Sequence, residues 1–128
     1  MQSIFIFDLD DTTVDSTHRQ RLNADGSVDL KFWRRNNTPE KILQDSMLPL
    51  AGKMIEGIAD GLDIVILTSR VMNRVDLAWL QMRGMTAPTI LSRSIADDRS
   101  TGEYKLARLH ELAVMRRMSF ADLAKRVI

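Results

Sequence analysis

Apolar residues in this chain fall into short unbroken runs, separated by stretches in which they recur every three or four positions. Ile4-Phe5-Ile6-Phe7 is the first run, and it stops abruptly at Asp8-Leu9-Asp10-Asp11-Thr12-Thr13. A run of that kind predicts a strand buried on both faces, as inside a parallel sheet. Ile64-Val65-Ile66-Leu67 repeats the pattern and stops at Thr68-Ser69-Arg70, and Pro88-Thr89-Ile90-Leu91 is a shorter strand candidate. Helical spacing lies between these runs. Leu50, Met54, Ile55 and Ile58 share a face of a helix expected from Pro49 to Asp60, with Gly61 at its C′ position. Met72, Val75, Trp79 and Met82 do the same for a helix expected over Val71 to Arg83, ended by Gly84.

The remaining segments are read from their turn and cap residues. Asp15 to Asn37 is polar, and its Asn23-Ala24-Asp25-Gly26 step predicts a hairpin-like excursion or loop. Thr38-Pro39-Glu40 has the form of a helix start, threonine capping and proline first. A charged loop, Ser92 to Ser100, leads into Ser100-Thr101-Gly102-Glu103, which has capping-box spacing. The helix it opens turns Leu109 and Leu112 inward and is expected to end near Arg116. Ser119 caps a further short helix, and Lys125-Arg126-Val127-Ile128 begins a fourth strand. Strands alternating with helices imply βαβ units, a parallel sheet and right-handed crossovers.

Composition narrows the class without naming it. At 128 residues, with 45% hydrophobic and 27% charged content, the chain fits one domain with a sizeable core. A net charge of +1 advertises no global field for nucleic acid, and with no cysteine there is neither a disulfide framework nor a thiolate metal site. The start, Met1-Gln2-Ser3, carries no basic leader and the apolar run after it is too short to span a membrane. The expectation is a soluble, cytoplasmic protein with no membrane partner.

Candidate chemistry gathers at the strand ends, where ligands of open α/β sheets bind. Asp8 and Asp10 share a face if the strand continues through them. Two neighbouring carboxylates suit a divalent, oxygen-ligated metal such as magnesium, or a division of labour between nucleophile and proton shuttle; a solvated acidic turn is the bland alternative. Lys105 stands in the first turn of a capped helix, where the macrodipole disfavours a cation by ~0.3–1 kcal/mol, which points to a nearby anion, either phosphate or Asp8. Arg70, Arg93 and Arg99 lie beside the same edge and offer planar forks for phosphate, or are plain surface charges. Phe32 and Trp33 with Arg34 and Arg35 either stack on a nucleotide or anchor the segment that carries them, and anchoring is the favoured reading. His18 reads as a hydrogen-bonded structural residue; Trp79 and the eight methionines read as core filling.

These residues carry a resemblance. Phe7-Asp8-Leu9-Asp10-Asp11-Thr12 resembles the first motif of the haloacid dehalogenase superfamily, Ile66-Leu67-Thr68 the second and Lys105 the third. Within it, the chain looks like small phage and bacterial phosphatases related to the 3′-phosphatase domain of phage-type polynucleotide kinase. Thr17-His18-Arg19 and Thr68-Ser69-Arg70 support this, as does the arrangement of Arg93, Asp97, Arg99 and Lys105. The resemblance implies a three-layer Rossmannoid sandwich over residues 1–128, with a short parallel sheet and a small cap insertion at about 15–46. It implies Asp8 as nucleophile forming an aspartyl-phosphate and Asp10 as the acid that protonates the leaving oxygen and then activates water. Thr12 would position Asp10, and Thr68 would hydrogen-bond a phosphoryl oxygen. Ser69, Arg70, Arg93 and Arg99 would help to bind substrate, and Asp8 and Asp10 would hold Mg2+.

The superfamily's fourth motif, an acidic group after the fourth strand, has no counterpart before Ile128. Three expectations follow: Asp97-Asp98 folds back to the metal, the chain is truncated before that motif, or it keeps a phosphate site without turnover. The favoured function is magnesium-dependent hydrolysis of a phosphomonoester, on a nucleotide, another phosphorylated small molecule or a nucleic-acid 3′-phosphate end. The rival is a phosphate- or nucleotide-binding regulatory protein. An unfinished sheet edge would also suit a homodimer.

Overall fold

The computed structural model describes residues 2–128; Met1, part of the Met1-Gln2-Ser3 start, lies outside the described residues. In chain order the elements are β1 (Ile4–Phe7), β2 (Val14–Asp15), a 3-10 turn (Thr17–Arg19), α1 (Leu30–Arg35), α2 (Pro39–Ile42) and β3 (Ser46–Met47). There follow α3 (Leu50–Ala59), β4 (Asp63–Leu67), α4 (Arg74–Met82), β5 (Thr89–Leu91), α5 (Thr101–Met115) and α6 (Phe120–Arg126). The main sheet has the order β1-β4-β5 and is parallel throughout, with Phe7 opposite Ile66 and Leu67 opposite Leu91. A separate antiparallel pair, β2 with β3, closes the insertion that follows β1.

Alternation along the strands sorts the core into two halves. Phe5, Phe7, Ile64, Ile66 and Ile90 pack on one face with Ile42, Met54, Trp79 and Leu80 of α2, α3 and α4. Ile4, Ile6, Val65, Leu67 and Leu91 pack on the other with Tyr104, Leu112 and Leu123 of α5 and α6. The result is the Rossmann-like α/β arrangement that the apolar runs predict, with helices on both faces of a short parallel sheet. Ile64, Val65 and Ile66 are almost wholly buried, and each contributes about 1.5–3 kcal/mol of hydrophobic stabilisation.

Several expected boundaries shift, each for a local reason. The helix expected from Val71 begins at Arg74, because Asn73 caps it: its side chain accepts from Val75 N and Asp76 N, and Asp76 accepts from Asn73 N. The stretch expected to be loop up to Asn37 holds α1, capped by Asp29 accepting from Phe32 N. The Asn23–Gly26 excursion is hairpin-like, with Leu22 bridged to Val28 and Gly26 at φ 87. Ser100 accepts from Glu103 N, but Glu103 answers through the Ser100 hydroxyl rather than the backbone. Lys125 and Arg126, expected to open a fourth strand, complete α6, where cations suit a helix C-terminus. The fourth strand shrinks to one parallel bridge, Val127 to Ile4, with Ile128 N donating to Ile4 O at 2.9 Å.

The end of the sheet away from the β1 carboxylates is strapped by Arg116 at the close of α5. Its guanidinium holds Asp63 at the start of β4, one bond measuring 3.0 Å, and donates to Thr89 at the start of β5 at 3.2 Å. Among the described residues, no helix is long and apolar enough to cross a membrane.

Candidate active site

β1 stops at Phe7, and the chain then folds into a tight turn instead of continuing as a strand. The carbonyl of Leu9 accepts from Thr12 N, Thr13 N and Val14 N at 2.9–3.1 Å, and Asp11 takes a left-handed φ of 65. Short polar residues tolerate that conformation better than most. The Thr13 hydroxyl donates to Asp8 O at 2.8 Å and fixes the turn from inside. Asp8 and Asp10 therefore stand at the carboxyl end of β1 but find different partners.

Asp8 continues the side of β1 that carries Ile4 and Ile6, which is the side covered by α5. Lys105, one turn into α5, meets it there: Nζ lies 2.6 Å from Oδ2. Oδ1 of Asp8 accepts from Leu9 N at 2.8 Å. Both side chains stay about a quarter to a third exposed, 32% for Asp8 and 26% for Lys105, so an incoming anion can reach them. The lysine that looks misplaced against the helix dipole thus has its anion.

Asp10 faces the exit of β4. Arg70 grips it through two donors, Nε at 3.2 Å and a terminal nitrogen at 2.5 Å, and the Ser16 hydroxyl adds a bond of 2.5 Å. Burial alone would push the Asp10 carboxyl up; the Arg70 bonds and charge and the Ser16 bond outweigh it and hold the group below its ordinary 3.8. The exposed Asp11 moves the other way, pushed up by partial desolvation and by the neighbouring Asp10 and Asp15 charges.

Arg70 is itself buried, 5% exposed. Its other terminal nitrogen donates to Asp76 at 2.7 Å, and the nitrogen on Asp10 also approaches Asp45 at 3.5 Å. Asp45 in turn takes both arms of the Arg19 fork at 2.9 and 2.8 Å, with Arg19 fully buried. Trp33 covers Arg19 at 4.2 Å and flanks Arg70 at 5.6 Å, anchoring the insertion as expected. His18 donates from Nε2 to Lys41 O at 2.9 Å, a structural bond.

The other residues named from sequence are spread along the same edge. Thr68 is buried at the end of β4, where its hydroxyl accepts from Arg70 N at 3.0 Å. Ser69 follows it, half-buried, and its carbonyl accepts from Arg93 Nε at 3.0 Å. Thr12 is half-buried in the turn after β1; it is Ser16, not Thr12, whose hydroxyl holds Asp10. Arg93 donates from Nε and one terminal nitrogen to the carbonyls of Ser69, Asp97 and Arg99 and stacks on Tyr104 at 4.5 Å. Arg99 is paired at the surface with Asp97, whose carboxyl that contact lowers to about 2. Asp97 is thus turned to the arginines of its own loop rather than back to Asp8 and Asp10. Sequence reading missed Thr13, Ser16, Asp45 and Asp76, and named Arg19 only within the Thr17-His18-Arg19 resemblance. Of these only Asp76 left a local signal, the Asn73-x-x-Asp76 spacing of a capping box.

Magnesium chemistry can be tested against these donors. Among the described residues, no group of three or more His, Cys, Asp or Glu side chains is placed to hold a metal ion. Magnesium, however, commonly takes one or two carboxylates and fills its remaining positions with water and substrate phosphate. Asp8 and Asp10 are hard oxygen donors, partly open to solvent. The ionic network around Arg70 also carries an excess of negative charge, Asp10, Asp45 and Asp76 against Arg70 and Arg19, beside the separate Asp8–Lys105 pair. The residues present fit such a cation.

The fold is a small α/β arrangement of the Rossmann-like kind, with acids at the carboxyl end of its first strand. Compared with protein-family models, residues 1–116 match the bacteriophage T5 5′-deoxynucleotidase family, and the chain belongs to that family. It is thereby placed among phage nucleotide phosphohydrolases, in keeping with the small phage phosphatases that the motifs resemble; the family's description names neither the haloacid dehalogenase superfamily nor a 3′-phosphatase. No curated protein and no solved structure matches the chain.

Proposed function

We propose that this protein is a magnesium-dependent phosphomonoesterase that removes the phosphate of a deoxynucleoside 5′-monophosphate through an aspartyl-phosphate on Asp8. The observation that carries this reading is the 2.6 Å pair of Asp8 and Lys105 at the carboxyl end of the sheet. The family's name supplies the substrate class.

In the first half-reaction an Asp8 oxygen attacks phosphorus, the P–O5′ bond breaks, and the departing oxygen takes a proton from Asp10. In the second, water attacks the aspartyl-phosphate, Asp10 accepts its proton, and Asp8 returns to a carboxylate as phosphate leaves. Lys105 and the Thr68 hydroxyl donate to the phosphoryl oxygens, where most of the transition-state charge sits. Asp10 rests as a carboxylate under the grip of Arg70, which suits the water step directly. Before the first step it takes a proton from solvent or from the monoanionic phosphate, and it returns one to solvent once the water step is complete. Magnesium held by Asp8 and Asp10 would offset the repulsion between these acids and the substrate. Of the groups expected to bind substrate, Arg70, Arg93 and Arg99 already have protein partners. Ser69 remains the more available of these donors, and Lys105, paired with Asp8, would meet the phosphoryl group at that acid.

The rival reading, a phosphate-binding protein without turnover, draws on the lack of a third metal-holding side chain among the described residues. Phosphate release from deoxynucleoside 5′-monophosphates, with magnesium and with chelator, separates the two. A 3′-phosphorylated oligonucleotide assayed in parallel tests the nucleic-acid end. We expect turnover of the 5′-monophosphate that needs the metal and is abolished by Asp8→Asn. Turnover that survives Asp8→Asn, or none across a wide range of divalent metals, overturns the proposal.

A further inference from the structure

The buried ionic chain running from the insertion to Asp10 has a role that burial alone does not explain. Charged groups are rarely placed out of water, because their desolvation is seldom fully repaid by the pair they form. Yet Arg19 and Asp45 are 0% and 3% exposed, and both come from the insertion rather than the sheet. Arg19 closes on Asp45 with both arms of its fork, a geometry that fixes direction as well as distance. Asp45 is braced further, its carbonyl accepting from Trp79 Nε1 at 3.1 Å and its carboxylate lying 3.5 Å from His18 Nε2. Its second oxygen lies 3.5 Å from the Arg70 nitrogen that holds Asp10 at 2.5 Å.

Arg70 is therefore clamped from two sides. Asp76 in the first turn of α4 holds one terminal nitrogen, and Asp45 faces the other. What remains free to respond is the pair of bonds to Asp10. We infer that Asp45 is a positioning residue: fixed by Arg19, it sets the orientation of the Arg70 guanidinium and hence of Asp10, so that seating of the insertion aligns the proton-transfer group. This inference rests on the phosphomonoesterase reading above. It differs from the role first expected for Arg70, since a guanidinium committed to three carboxylates orients the catalytic acid rather than binding substrate.

The test uses the whole chain, a deoxynucleoside 5′-monophosphate and magnesium. Asp45→Asn keeps the shape of the side chain and removes the charge that Arg70 and Arg19 share. The expected result is a folded protein, judged by circular dichroism and a cooperative melt, whose kcat falls about tenfold or more while KM stays within about threefold; slight misplacement of a catalytic group costs rate on this scale. Asp45→Glu is expected to recover part of the loss. A folded Asp45→Asn protein with unchanged kcat, or with a change in KM alone, overturns the inference. Should Asp45→Asn not fold, Arg19→Lys carries the same comparison, because it keeps the charge and loses the fork: reduced kcat at unmoved KM supports the inference, and unchanged kcat overturns it. A wild-type protein that is active and silenced by Asp8→Asn, beside an unaffected Asp45→Asn, removes only the positioning role. An inactive wild type removes the reading beneath it as well.

Discussion

Lys105 Nζ and Asp8 Oδ2 lie 2.6 Å apart although 97 positions separate them in the chain. The contact joins α5 to the end of β1 across one face of the sheet, and both groups remain open to solvent. On the proposed reaction, an ammonium placed there would neutralise charge on a phosphoryl group more than it holds the fold together. Lys105→Ala should lower kcat for the nucleotide by about 100-fold, the scale of losing one aimed donor. Stability in urea should change by no more than about 1 kcal/mol, as for other exposed pairs. Steady-state kinetics and a urea melt on the same preparation check both.

Two glycines of α3 should respond in opposite senses to alanine. At Gly57 a Cβ would come within 2.9 Å of the buried Ile64 side chain, so Gly57→Ala overpacks the α3–β4 contact and should cost ~1–3 kcal/mol. At Gly52 nothing lies within 4 Å, and Gly52→Ala should stabilise by ~0.5–1 kcal/mol through helix propensity. Urea midpoints for the two variants measure the difference.

Acid should erode stability partly through Asp10. Its folded value lies below the ordinary 3.8, so between the two values the unfolded chain binds the extra proton. Stability from this group is complete above the ordinary value and is lost as pH falls through the folded one. Asp10→Asn should therefore flatten the stability–pH profile below about pH 4, which urea melts across that range would show; an equally steep profile would mean that other carboxylates carry the effect.

The strands were legible because each is an apolar run needing cover on both faces, and their parallel pairing followed from βαβ logic. Asp8 and Lys105 were legible for the opposite reason, since each violates a local preference that only a partner can satisfy. Arg19 and Asp45 left no such mark. They are ordinary charged residues, Arg19 in the polar segment and Asp45 just past α2, buried only because distant parts of the chain close over them. α1 was hidden by its length, six residues with one cap. The end of the chain shows a propensity that lost, for the β-branched Val127 and Ile128 give one bridge to Ile4 once α6 has claimed the residues before them.

Trp33 offers a separate check on the insertion. Its ring lies under the Arg19 guanidinium and beside that of Arg70. Trp33→Leu should keep the apolar cover and lose the ring's attraction for the two cations, costing about 0.5–2 kcal/mol in a urea melt. A loss confined to KM would instead mean that the ring stacks on substrate.

The Arg116 clasp on Asp63 and Thr89 lies at the pole away from the acids, beside the exposed turn at Asp60 and Gly61. Handling and the proposed chemistry are thereby given opposite ends of the molecule. A biotin grafted at position 60 would tether the protein to a sensor chip with the β1 acids facing the flowing solution.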